Sequence, residues 1–115
     1  MNVPEIKDKI LGKRYDLSVA FLSVREMRAV TRKTKGVNKA SNVLSFPLSK
    51  ASGEILLCRE TAKTQCKLFG MNQRDFLTYL LIHGMLHLKG FKHGATMESE
   101  ERRALKRFGA HVRDE

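Results

Sequence analysis

Acidic side chains are scarce in this chain of 115 residues: 12 aspartates and glutamates stand against 22 lysines and arginines, a formal net charge of +10. That imbalance surrounds the molecule with a positive field, which draws polyanions, nucleic acid being the usual partner. The excess is uneven, because residues 25–39 hold Arg25, Arg28, Arg32, Lys33, Lys35 and Lys39 against Glu26 alone. Cysteine is almost missing. Cys58 and Cys66, eight positions apart, match neither a C-x-x-C motif nor a zinc-ribbon pair. They read as small, partly buried hydrophobes in a reducing compartment. No apolar run approaches the roughly 20 residues of a membrane-spanning helix. Met1–Glu5 has no cationic segment leading into an apolar one, so no signal peptide is evident. Repeats, low-complexity tracts and linkers are also lacking. With 42% apolar and 30% charged residues, the expectation is one cytosolic domain over residues 1–115, with no membrane partner and enough chain for a core.

What the chain does have is concentrated in residues 83–93, His-Gly-Met-Leu-His-Leu-Lys-Gly-Phe-Lys-His, which contain three of its four histidines. His83 and His87 are four apart and share one face of a helix. Gly90 stands where that helix stops, since glycine accepts the left-handed conformation that ends helices. The chain then doubles back and brings His93 to the same point. Three neutral imidazoles converging in this way leave a fourth position open on Zn²⁺, the arrangement of a catalytic zinc, with nickel or copper also suited. A closed structural zinc would need a fourth protein ligand, and none is evident nearby. The spacing equals that of the metalloprotease signature H-E-x-x-H-x-x-G-x-x-H, except that Gly84 stands where the glutamate base would be. His111 has no ligand-like spacing and reads as a surface residue.

Along the rest of the chain, residues 16–22 suit a strand, and Ser23 with Glu26 forms a capping-box pair opening a helix. Val24, Met27 and Val30 would be its inner face, and Gly36 its end. Residues 36–41 read as a loop, Asn42–Phe46 as a strand stopped by Pro47 at an edge or exit, Ser52-Gly53 as a turn, and Glu54–Cys58 as a third strand. A helix follows from about Glu60 to Phe69, ending at Gly70. Asn72 caps the helix carrying His83 and His87, with Asp75 in its first turn. That helix is apolar nearly all round, and so central and buried. The last helix runs from Met97 to Phe108 with Thr96 as cap. The order suggests α+β, a small mixed β-sheet packed with about four or five helices.

The histidine segment, preceded by Asn42-Val-Leu-Ser-Phe-Pro47 and Gly53-Glu-Ile55, resembles the bacterial YbeY proteins, over about Met27 to Glu101. The resemblance implies a small mixed sheet with helices, zinc-hydrolase-like in outline. It further implies a zinc-dependent, single-strand-specific endoribonuclease acting in 16S rRNA 3′-end maturation and ribosome quality control. Carried over by position, His83, His87 and His93 are the zinc ligands, one Zn²⁺ per chain, and rRNA with the ribosome or its proteins are the partners. Two positions depart from the family. Where an arginine usually precedes the Ser-Phe-Pro strand this chain has Lys35, which keeps the charge but loses the planar fork that grips phosphate twice. Where Gly-Tyr-Asp-His is usual, it reads Gly90-Phe-Lys-His93, and Lys92 removes a carboxylate that would orient a zinc histidine.

Zinc on three histidines lowers the pKa of the water it binds to about 7, so no glutamate base is needed for phosphodiester hydrolysis. Lys35 is the cation expected to meet charge building on the phosphate. Arg28, Arg32, Lys33, Lys39 and Lys92 are the expected RNA contacts. Backbone groups of Leu44–Phe46 line the groove, Ser45 reads as structural, and Glu54 reads as a strand cap rather than a water-orienting base. Two other functions compete: a non-catalytic, zinc-stabilised RNA-binding or ribosome-assembly factor, and a minimal metalloprotease, against which Gly84 speaks.

Overall fold

In the computed structural model, which describes residues 1–109, the chain runs α1 (Val3–Ile10), β1 (Asp16–Phe21), α2 (Val24–Lys35), β2 (Val43–Ser49), β3 (Ser52–Leu57), α3 (Arg59–Gln65), a 3-10 turn (Cys66–Phe69), α4 (Gln73–Lys89) and α5 (Ala95–Arg107). His111 lies outside the described residues. The three strands form one mixed sheet in the order β1-β3-β2, with β1 parallel and β2 antiparallel to β3. A parallel neighbour requires a crossover, and the β1-to-β3 connection carries both α2 and β2. Among the described residues no helix is long and apolar enough to cross a membrane.

The central strand is buried on both faces, and its alternation sorts the core into two layers. Ile55 and Leu57 join the larger cluster around α4, with Phe76, Leu81, Ile82 and Met85, while Leu56 and Cys58 meet Met27 of α2 on the other side. α4 contacts α1, α3, α5, β2 and β3, the central position expected of a helix apolar all round. Both cysteines are free and buried, Cys58 completely.

Several boundaries differ from the sequence reading. β2 does not stop at Pro47 but continues to Ser49, with a register shift between Pro47 and Ser49. β2 is an edge strand, where proline's missing donor leaves no ladder bond unmade. The hairpin turn therefore falls at Lys50–Ala51, and Ser52 and Gly53 begin β3. Glu54 accordingly lies inside β3, paired with Phe46 and Ser18, rather than capping its end. The helix expected over 60–69 is α3 followed by the 3-10 turn, closed by Gly70 in the left-handed region. α5 begins at Ala95 after Gly94, with no side-chain cap from Thr96. α1 is an addition to the elements read from sequence. The Asn2 side chain accepts from Glu5 N–H at 3.2 Å, Pro4 sits in its first turn, and Ile6 and Ile10 anchor it in the main core.

Candidate metal centre

His83 and His87 project from one face of α4, a helix held rigid by the core behind it. Gly90 ends α4 at φ 108°, a conformation costly for any residue with a Cβ, and its N–H donates to the His87 carbonyl. The chain reverses and returns His93 to the pair. Ring centroids stand 4.6 Å apart for His83–His87, 4.7 Å for His87–His93 and 5.2 Å for His83–His93. One nitrogen from each ring lies within 4.8 Å of the others.

Two of the rings are oriented through their other nitrogen. His83 Nδ1 lies 2.5 Å from Glu101 Oε2, and His87 Nδ1 lies 3.1 Å from the Phe91 carbonyl oxygen. An N–H on each Nδ1 leaves each Nε2 with its lone pair free, and these two Nε2 atoms face each other at 3.1 Å. Neutral imidazoles so placed repel unless a cation lies between them. Two nitrogens bound at 2.0–2.1 Å to a tetrahedral metal such as zinc would stand roughly 3.3 Å apart. The donor set therefore fits a divalent metal ion. Burial first, and then the neighbouring His83 and His93, hold the His87 imidazole below the usual histidine range, against the opposing pull of the Phe91 carbonyl and Glu101. The neutral form it favours is the one that ligates.

Glu101 was missed by sequence reasoning. A signal was there: Met97, Glu101 and Leu105 recur at four-residue spacing, and all three are buried. A carboxylate in mid-stripe of an apolar helix face calls for a partner, and His83 is that partner. Tyr79 was also missed. Burial first, then the charges of the nearby Glu101 and Glu98, raise its pKa.

The histidines open into a groove of about 690 Å³ walled by the C-terminal end of α2, the following loop and the β2 edge. The loop is fastened by buried Thr31, whose Oγ1 lies 3.0 Å from Ser41 Oγ, and by Asn42, whose amide donates to Gln65 Oε1 at 2.8 Å. Lys35 and Lys39 line the groove with the histidines, as do Leu44, Ser45 and Phe46. Arg28, Arg32 and Lys33 are exposed on α2 and do not line it; nor does Lys92, which is exposed beside His93. Ser45 Oγ donates to the Gly84 carbonyl at 3.1 Å, tying β2 to α4, a structural role. Among the described residues lining the groove there is no carboxylate.

Fold and centre together define a small α+β protein with a three-histidine cluster able to hold a metal ion, set in a basic groove. The chain belongs to the Endoribonuclease YbeY family, whose model matches residues 3–109, a longer stretch than the motifs alone delimit. It is 36% identical to Endoribonuclease YbeY of Bdellovibrio bacteriovorus over 113 residues, covering 93% of this chain and 73% of that one. It is 38% identical to the protein of the same name from a Chelativorans species over 100 residues, covering 79% of this chain and 61% of that one. The match thus spans less than two thirds of the Chelativorans protein. The fold is also that of the solution structure of TM1509 from Thermotoga maritima, with a TM-score of 0.67 at 24% identity, covering 91% of this chain and 77% of that one.

Proposed function

We propose that this chain is a zinc-dependent endoribonuclease that hydrolyses single-stranded RNA and acts in the cytoplasm on the 3′ end of 16S rRNA, in ribosome maturation and quality control. The observation that carries this reading is the convergence of three imidazoles in a groove that bears Lys35 and Lys39 and no carboxylate among its described residues. His83, His87 and His93 hold the metal. When bound, zinc supplies an activated water and stabilises charge on a phosphate oxygen. Lys35 meets the negative charge that builds on the phosphate, and Lys39 holds the neighbouring backbone. Arg28, Arg32 and Lys33 on α2, with Lys92 beside His93, extend the positive surface that draws the strand in. β2 is an edge strand, and its Val43–Phe46 stretch lines the groove, so an extended single strand finds backbone donors and acceptors along it. The family's name supports the reaction class, and ribosomal RNA with its proteins is the partner that reading implies.

The test is cleavage of a labelled single-stranded RNA against a matched duplex. Wild type and His87→Ala are prepared in parallel, each with and without chelator. The expected result is cutting of the single strand that falls more than about 100-fold in the variant, a loss beyond that of removing a ligand's hydrogen-bond partner, and that stops on chelation. RNA retained but uncut by folded, zinc-loaded wild type would replace this reading with that of a binding factor.

A further inference from the structure

We infer that Glu101 is a positioning residue for the metal, holding the His83 ring so that Nε2 is turned toward the other two histidines. The inference rests on the metal reading of the three histidines and not on the identity of the substrate.

Glu101 is only 5% exposed and belongs to the same buried stripe of α5 as Met97 and Leu105. A carboxylate in such a place is costly unless its oxygens are satisfied. Its partner comes from α4: His83 Nδ1 lies 2.5 Å from Oε2. Tyr79 and His83 are four residues apart on α4, their ring centroids 6.0 Å from one another, so they share the helix face that meets α5.

The three histidines are supported unequally. His87 leans on a main-chain carbonyl, and the His93 ring has no hydrogen-bond partner among the described residues. His83 alone of the three has a charged partner among those residues, one that fixes the tautomer and raises the basicity of the ligating nitrogen. A bland alternative exists: the same contact could be a staple between α4 and α5, with His83 protonated. A staple stabilises the fold and has no business with the metal.

The two are separated by titrating Zn²⁺ into the full chain against a chromophoric chelator, with urea denaturation of the metal-free protein alongside. The proteins are wild type, Glu101→Gln, His83→Ala and the His83→Ala/Glu101→Gln double variant. Glu101→Gln is expected to weaken zinc binding about 10–100-fold. In the His83→Ala background, Glu101→Gln is expected to cost nothing further, since it acts through that ring. Wild-type zinc affinity in Glu101→Gln with lowered metal-free stability would establish the staple and overturn the proposal. An equal loss in both backgrounds would overturn it too. Should the double variant fail to fold, Co²⁺ absorption of Glu101→Gln decides: altered ligand-field bands support the proposal and an unchanged spectrum sinks it. RNA enters none of these readouts, so failure here and failure of the nuclease reading are distinguishable.

Discussion

Gly84 shows how one residue can separate two chemistries that share a spacing. A Cβ built there would stand 2.8 Å from Ser45 Oγ and 3.1 Å from Ile55 Cδ1, because the sheet lies directly on this turn of α4. The protease glutamate has no room. Its absence is thus dictated by how closely β2 and β3 approach the helix, and the Ser45–Gly84 hydrogen bond marks that approach. Two effects oppose each other in Gly84→Ala. Alanine gains about 1 kcal/mol of helix propensity, while overpacking against Ile55 and Ser45 costs about 1–3 kcal/mol. The second wins, so the expected result is a net loss of about 1 kcal/mol, read as a lower urea midpoint at unchanged slope. Gly84→Glu adds a buried charge and falls further. An alanine variant more stable than wild type would show that the sheet can withdraw, and the steric account of the missing base would fail.

Elements begin where side chains satisfy backbone, and α2 gives the clearest case. Ser23 Oγ accepts from Glu26 N–H at 3.1 Å, and Glu26 Oε1 accepts from Ser23 N–H at 2.9 Å. The Ser23 backbone N–H above all, and the Ser23 hydroxyl after it, hold the Glu26 carboxyl below the usual carboxylate range. A depressed folded-state pKa gives stability that is complete above the unfolded pKa and is lost as pH falls through the folded one. The gap in melting temperature between wild type and Glu26→Ala should therefore be constant at neutral pH and close in acid; a gap indifferent to pH would remove the charged cap from the account. This box was legible because its signal is local. So were Gly36, Asn72 and Gly90, each set by backbone geometry within a few residues. α1 was not, because eight residues with two buried isoleucines carry little periodic signal, and their stability comes from docking on α4. The edge position at Pro47 was legible, but β2 ran past it because the length of the pairing is set by the partner strand β3, which the local sequence does not show. At the centre, the three histidines were readable from spacing, whereas Glu101 reaches His83 across 18 positions and Tyr79 reads locally as one more core aromatic.

Across the whole molecule the +10 charge has two separable consequences. One is a general field that attracts any polyanion and weakens with salt. The other is local: Lys35 and Lys39 stand at the groove because Thr31–Ser41 and Asn42–Gln65 fasten the loop between α2 and β2, so they meet phosphates that lie beside the metal. Counterion release distinguishes them. For single strands the slope of log affinity against log salt is about −0.7 for each phosphate neutralised. Removing both groove lysines in Lys35→Ala/Lys39→Ala should flatten the slope by about 1.4 if each neutralises one phosphate. Lys9→Ala/Lys106→Ala removes the same charge from exposed positions on α1 and α5 that do not line the groove. That pair should leave the slope nearly unchanged and shift affinity only slightly, through the net field. Measured with metal-loaded protein and a short single-stranded RNA over a salt series, unequal slopes place the strand in the groove. Equal slopes from the two pairs would mean that attraction follows net charge alone, and Lys35 and Lys39 would lose their assigned roles while the metal centre kept its own.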